Sequence, residues 1–162
     1  KFHWIPLRSD IIFASLLGTM LSLLLVFRTN TAYDRFWEGR KSWGSLVIHT
    51  RIFAAMLHGI LPHADRDNRA FFARYIAAYT FATKNHLRDT FLPSELQDLD
   101  TSTIEQLQTV RHVPNAIGKA IFARMQMLFR SGVFRGEDMR NLKPQFDVLL
   151  DTTGVCERIK FT

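Results

Sequence analysis

The sequence predicts an all-α fold of long helices, in which a membrane-spanning helix continues into a helical bundle. Three observations predict it. The stretch Ile11 to Phe27, IIFASLLGTMLSLLLVF, is apolar or small throughout and carries no charge; its length is at the short end of what crosses a hydrocarbon core of about 30 Å. After Arg28 nothing breaks a helix until Pro62. Elsewhere apolar residues recur at helical spacing, and no alternating strand pattern, internal repeat or low-complexity tract appears.

The first element is bracketed by Arg8 and Asp10 ahead of the apolar run and Arg28 behind it, with Phe2 and Trp4 where interfacial aromatics are usual. Ala14, Ser15, Gly18, Thr19 and Ser22 allow close helix approach without making a clean GxxxG pair. A buried helix of a soluble bundle has the same composition, so both readings stand at this point. Beyond Arg28, Thr29 and Thr31 are weak helix formers and Gly39 costs about 1 kcal/mol. The simplest reading is still one long helix, or two nearly collinear ones. From Trp43 to Leu61 the apolar positions Leu46, Val47, Phe53, Ala54, Met56, Leu57, Ile60 and Leu61 enclose His49, Arg51 and His58, an amphipathic pattern.

Pro62 to Asn68, PHADRDN, reads as a turn or loop. A helix follows from Arg69 to Leu87 with an aromatic face of Phe71, Phe72, Tyr75, Tyr79 and Phe81. Arg88 to Arg111 is polar and acidic and predicts a loop plus a short helix begun by the cap region Thr101-Ser102-Thr103. Pro114 sits where a helix can begin, Ile117, Ile121, Phe122, Met125 and Leu128 continue it, and Gly132 follows its end. A last helix starts near Gly136 or Glu137, holds Pro144 in its first turns, and runs through Phe146, Leu149 and Leu150 toward Ile159.

Composition excludes more than it selects. The 162 residues make one domain or part of one, and a net charge of +6 suits a nucleic acid or an anionic membrane surface equally. Its Lys and Arg residues are scattered among acids, however, with no nucleic-acid-binding pattern, so no nucleic-acid partner is expected. Cys156 is the one cysteine and cannot close an intramolecular disulfide. No leader with a cleavage site is visible. Both ends read as cut, and a partial chain is expected.

Enzyme signatures are missing: there is no GxGxxG, Walker loop, HExxH or nucleophile elbow. No catalysis, cofactor or metal site is therefore expected. His58 and His63 lack the one-face spacing of helical ligands. His49, His86 and His112 stand alone in the sequence and predict surface or hydrogen-bonded structural roles, and Cys156 predicts a packing role.

Helical geometry organises the segment after the apolar run. With about 100° per residue and Phe27 at zero, Leu23 falls near −40°, Thr31 near +40°, Asp34 near −20° and Glu38 near +20°. One face therefore carries Leu23, Phe27, Thr31, Asp34 and Glu38 in order. Arg28 and Arg35 fall on one flank, at about +100° and +80°, and Trp37 on the other, near −80°. A face passing from apolar to acidic suits a lining that leads from a dry constriction to a wet vestibule. It equally suits a helix whose apolar part packs in a core and whose acids face solvent. Geometry alone admits both.

FRTNTAYDRFWEGRKSWG, Phe27 to Gly44, resembles the signature segment of the bestrophin family in its prokaryotic form. HVPNAIG, His112 to Gly118, and GVCERIKFT, Gly154 to Thr162, agree with it in the expected order. The resemblance implies a subunit of a homopentameric ion channel in the cell membrane, with residues 1–61 as the pore-lining membrane helix and its cytoplasmic continuation and 62–162 as mainly cytoplasmic helices. Carried over by position, the hydrophobic pore neck becomes Thr19, Leu23 and Phe27. Thr19 departs from the family's bulky apolar residue, and Met20 beside it can substitute if the helix is slightly rotated. Thr31, Asp34 and Glu38 would line the vestibule, and Arg28 and Arg35 would make structural or inter-subunit charge pairs such as Arg35 with Glu38. The implied partners are the chain's own copies, membrane lipid and small monovalent ions. Bestrophins are commonly described as chloride channels, whereas prokaryotic members can conduct cations, which two acidic rings would favour. Further membrane helices, a second constriction and the calcium-binding acids of animal members are expected outside this sequence, so no calcium site is predicted in it. The competing expectation is a soluble or peripheral helical interaction protein that uses Ile11 to Phe27 as a core helix.

Overall fold

Helical periodicity and the placement of proline set most of the element boundaries. The computed structural model of the chain describes residues 6–161, with side chains described from residue 11; Phe2, Trp4 and the side chains of Arg8 and Asp10 lie outside the described residues. Among the described residues five α-helices follow one another: α1 (Pro6–Ile60), α2 (Arg66–Leu87), α3 (Thr101–Gln108), α4 (Val113–Arg130) and α5 (Gly136–Phe161), with a short 3₁₀ turn at Pro93–Glu95. Among the described residues there is no strand. The residues group into two compact units, one up to Arg40 and one from Lys41 onward.

In the first unit, α1 is exposed at every residue from 11 to 38. None of the apolar run is buried, so the expectation of a core helix fails within this chain. A helix apolar on all sides and covered by nothing is stable in lipid and costly in water. It is the one helix among the described residues long and apolar enough to cross a membrane. The hydroxyls of Thr19, Thr29 and Thr31 donate to the carbonyls of Ser15, Leu25 and Phe27, at 2.9, 2.8 and 3.0 Å. Bonding back one turn hides their polarity and lets threonine sit in an apolar helix.

The second unit has a conventional core. Leu46, Phe53 and Leu57 from the end of α1 pack with Ile76 and Tyr79 of α2, Ile121 and Met125 of α4, and Leu142 and Phe146 of α5, all buried. Phe146 is the hub, its ring 5.8 Å from that of Phe122 and 6.0 Å from that of Phe53. Gly118 is where α4 comes close to its neighbours: a Cβ there would lie 3.1 Å from Leu150 Cδ2 and 3.7 Å from the Tyr79 ring. Tyr79 satisfies its buried hydroxyl on α5, bonding Leu149 O at 3.1 Å and Thr153 Oγ1 at 2.7 Å.

Two boundaries differ from the sequence expectation. The loop expected over Pro62 to Asn68 is shorter, because Asp65 caps α2: its carboxylate accepts from the Asn68 backbone N–H at 3.2 Å and the Asn68 side chain at 2.7 and 2.9 Å. Residues read as loop formers are the cap and first turn. For α3, Asp100 holds the N-cap position and Thr101 is already helical, without a side-chain cap bond. Elsewhere the signals agree with the structure. Pro114 lies in the first turn of α4, Gly132 follows it at φ +77°, and Pro144 is accommodated inside α5 on its exposed side.

Candidate functional site

Thr19, Leu23, Phe27, Thr31, Asp34 and Glu38 all lie on α1 and all are exposed. With a rise of 1.5 Å per residue, Leu23 and Phe27 are about 6 Å apart along the axis, and Phe27 to Glu38 spans about 16 Å. The Thr19 hydroxyl is turned back to Ser15 O, which leaves its methyl group to the surroundings. The face therefore runs from isobutyl and phenyl groups at Leu23 and Phe27 to a back-bonded hydroxyl at Thr31 and then to two carboxylates, with Thr19 at its edge, near about −80° from Phe27. Met20, 58% exposed, stands beside Thr19 on the same helix. Arg28 and Arg35 are exposed as well, and Arg35 and Glu38 each take part in an interaction within the chain. Leu23 at 56% and Phe27 at 60% exposure belong to a contiguous run of exposed large apolar side chains from Ile11 onward, and an apolar surface of that extent marks a membrane or partner contact.

The second unit holds a constellation that reading along the sequence does not reveal. His86 near the end of α2, His112 at the N-cap of α4 and Glu157 near the end of α5 meet, although the sequence presents the two histidines singly. Glu157 Oε1 lies 2.7 Å from His112 Nε2 and 3.1 Å from His86 Nε2, and the two imidazoles pack with centroids 4.3 Å apart at 34°. His112 Nδ1 accepts from the Asn115 backbone N–H at 3.2 Å, so the neutral ring carries its proton on Nε2 and donates to Glu157. The three side chains line a cavity of about 720 Å³ shared with Asn85, Asp89, Phe91 and Leu107. Around it, Lys160 bonds Asp89 at 2.6 Å and the His86 carbonyl at 3.3 Å, and Lys84 with Asn85 binds Glu95. The Lys84 hydrogen bond holds the Glu95 carboxyl below the usual carboxylate range. Cys156, next to Glu157, is buried, and burial pushes its thiol up, which makes it a poor nucleophile and agrees with a packing role.

Comparison with known proteins places this geometry in a family. The model of the bacterial and fungal bestrophin proteins matches residues 1–162. A voltage-dependent anion channel-forming protein of Nostoc sp. is 36% identical over 159 residues, covering 96% of this chain and 52% of that protein. A chloroplastic voltage-dependent chloride channel of Arabidopsis thaliana is 27% identical over 166 residues, covering 96% of this chain and 39% of that protein. The chain thus spans about half the length, or less, of these curated relatives. Among solved structures, a bacterial bestrophin homolog from Klebsiella pneumoniae superposes with a TM-score of 0.86 at 26% identity, covering 94% of this chain and 57% of that one. With an exposed apolar helix leading into an acidic face, an all-α architecture and a family model matched from end to end, the chain belongs to the bestrophin family in its bacterial and fungal branch.

Proposed function

We propose that the chain is the pore-helix portion of a homopentameric ion channel subunit of the cell membrane, conducting small monovalent ions passively and catalysing no reaction. Residues 1–61 supply the pore-lining helix and its continuation, and 62–162 the mainly cytoplasmic helices. The observation that carries the reading is the α1 face from Leu23 to Glu38, apolar and then acidic on a helix that buries nothing there. One copy has only one Leu23 and one Phe27, so a closed constriction requires further copies around an axis. Five copies would stack rings of Thr19, Leu23 and Phe27 as the neck. Such rings exclude water when narrow and pass hydrated ions on a modest widening. The Thr19 back-bond supports its place there, because a methyl-lined ring is effectively apolar. Beyond Phe27 come a ring of Thr31 and two acidic rings, Asp34 and Glu38, with Arg28 and Arg35 on the flank suited to pairing between neighbours.

The relatives named as anion or chloride channels favour anions, whereas paired acidic rings lower the barrier for cations. Bilayer recording of the full-length protein under a salt gradient distinguishes the two by the sign of the reversal potential. Asp34→Asn with Glu38→Gln is expected to move that potential toward the anion value. Phe27→Ala is expected to raise conductance severalfold by widening and wetting the neck. A full-length protein that conducts nothing, or whose conductance ignores Phe27→Ala, overturns the reading.

A further inference from the structure

We propose that His86, His112 and Glu157 form a binding site for a divalent transition metal of the zinc class. Three different helices bring two imidazole nitrogens and one carboxylate oxygen together, all within 4.8 Å of one another. Two neutral imidazoles and a carboxylate are a borderline donor set with one negative charge, which suits Zn2+ rather than calcium or magnesium. Metal–ligand bonds of about 2.0–2.1 Å in a tetrahedron put ligand atoms about 3.3 Å apart. The present separations from Glu157 Oε1, 2.7 and 3.1 Å, need to open by about 0.6 and 0.2 Å to reach that spacing. The adjoining cavity leaves room for water as a fourth ligand.

Competing interactions define how the site must behave. Without metal, the Nε2 proton of His112 occupies the position a metal would take. Coordination through that nitrogen moves the proton to Nδ1 and gives up the bond from the Asn115 N–H. Nearby positive charge comes from Lys160, held by Asp89 just after α2, and from Arg111, which lines the same cavity. The site is therefore weaker than a preformed four-ligand structural site, and it ties the end of α2, the start of α4 and the end of α5 into one unit when filled.

The test is titration of the full-length protein in detergent with Zn2+, followed by calorimetry, and with Co2+, followed by the visible absorption of tetrahedral cobalt. One saturable equivalent per subunit is expected. His86→Ala and Glu157→Gln are each expected to weaken it at least about tenfold, the scale seen even for lost supporting contacts, while the exposed His63→Ala leaves it unchanged. Nitrogen chemical shifts of His112 report the move of its proton from Nε2 to Nδ1 and need no substitution. Absence of a saturable equivalent in the unsubstituted protein overturns the proposal. So does binding that His86→Ala and Glu157→Gln, folded by circular dichroism, leave intact, or a His112 signal indifferent to metal.

Discussion

Burial holds the Tyr79 phenol protonated. Desolvation pushes its hydroxyl from 10 up to about 12, against the opposing hydrogen bond from Thr153. Between those values the folded chain keeps a proton that the unfolded chain has lost. The stabilisation is therefore complete below pH 10 and disappears as pH rises through about 12, a total of about 2–3 kcal/mol. Unfolding of the full-length protein followed from pH 8 to 12 is expected to show this alkaline loss. In Tyr79→Phe that slope should flatten, at a cost near neutrality of about 1–2 kcal/mol for the hydroxyl's two partners. A wild-type stability that is level from pH 9 to 12 would contradict the assignment. At the same scale, the sequence shows Tyr79 only as one aromatic of a helical face. Which aromatic has a polar partner depends on Thr153, 74 residues away, and no local pattern encodes that.

Elements end where their last carbonyls find donors. Arg69, in the first turn of α2, donates from Nε to Pro62 O at 2.9 Å and from its guanidinium to the carbonyls of His58 and Leu61. One side chain thus satisfies carbonyls that the end of α1 leaves open and fixes how α2 departs from it. Arg69→Ala is expected to destabilise the full-length protein by about 1–3 kcal/mol, the range for hydrogen bonds to a charged group, with Arg69→Lys recovering only part because it lacks the planar fork. Thermal unfolding in detergent reads both; equal stability of all three proteins would mean that the clamp is idle. Helices were legible in the sequence because apolar spacing, Pro114, Gly132 and Gly136 are local signals. The start of α2 was not, since Asp65 and Asn68 are equally good loop residues until they bond each other. The apolar-to-acidic order of α1 was legible for the same local reason, as it needs only 3.6 residues per turn. The meeting of His86, His112 and Glu157 was not legible, because it depends on where three helices end.

On the scale of the whole molecule, the exposed helix makes a prediction that composition alone cannot make. Leu23 and Leu25 are both exposed, at 56% and 66%, and differ by nothing in hydropathy. Relative to Phe27, however, Leu23 lies near −40° and Leu25 near +160°, on opposite sides of α1 at about 100° per residue. If the Leu23–Glu38 face lines an ion path, a lysine at position 23 meets water and permeant ions, while a lysine at position 25 meets lipid or an apolar neighbour. A charge facing the membrane interior costs about 2.5–3.5 kcal/mol even with snorkelling. Leu25→Lys is therefore expected to reduce severalfold the amount of full-length protein recovered in the membrane fraction as an assembled oligomer. Leu23→Lys is expected to insert and assemble near the unsubstituted level and to shift the reversal potential toward anions by placing a positive ring in the neck. Fractionation, sizing in mild detergent and bilayer recording of the same two proteins decide it. Equal loss from both substitutions would mean that α1 has no water-lined face, and loss from Leu23→Lys alone would place the pore on the opposite side of the helix.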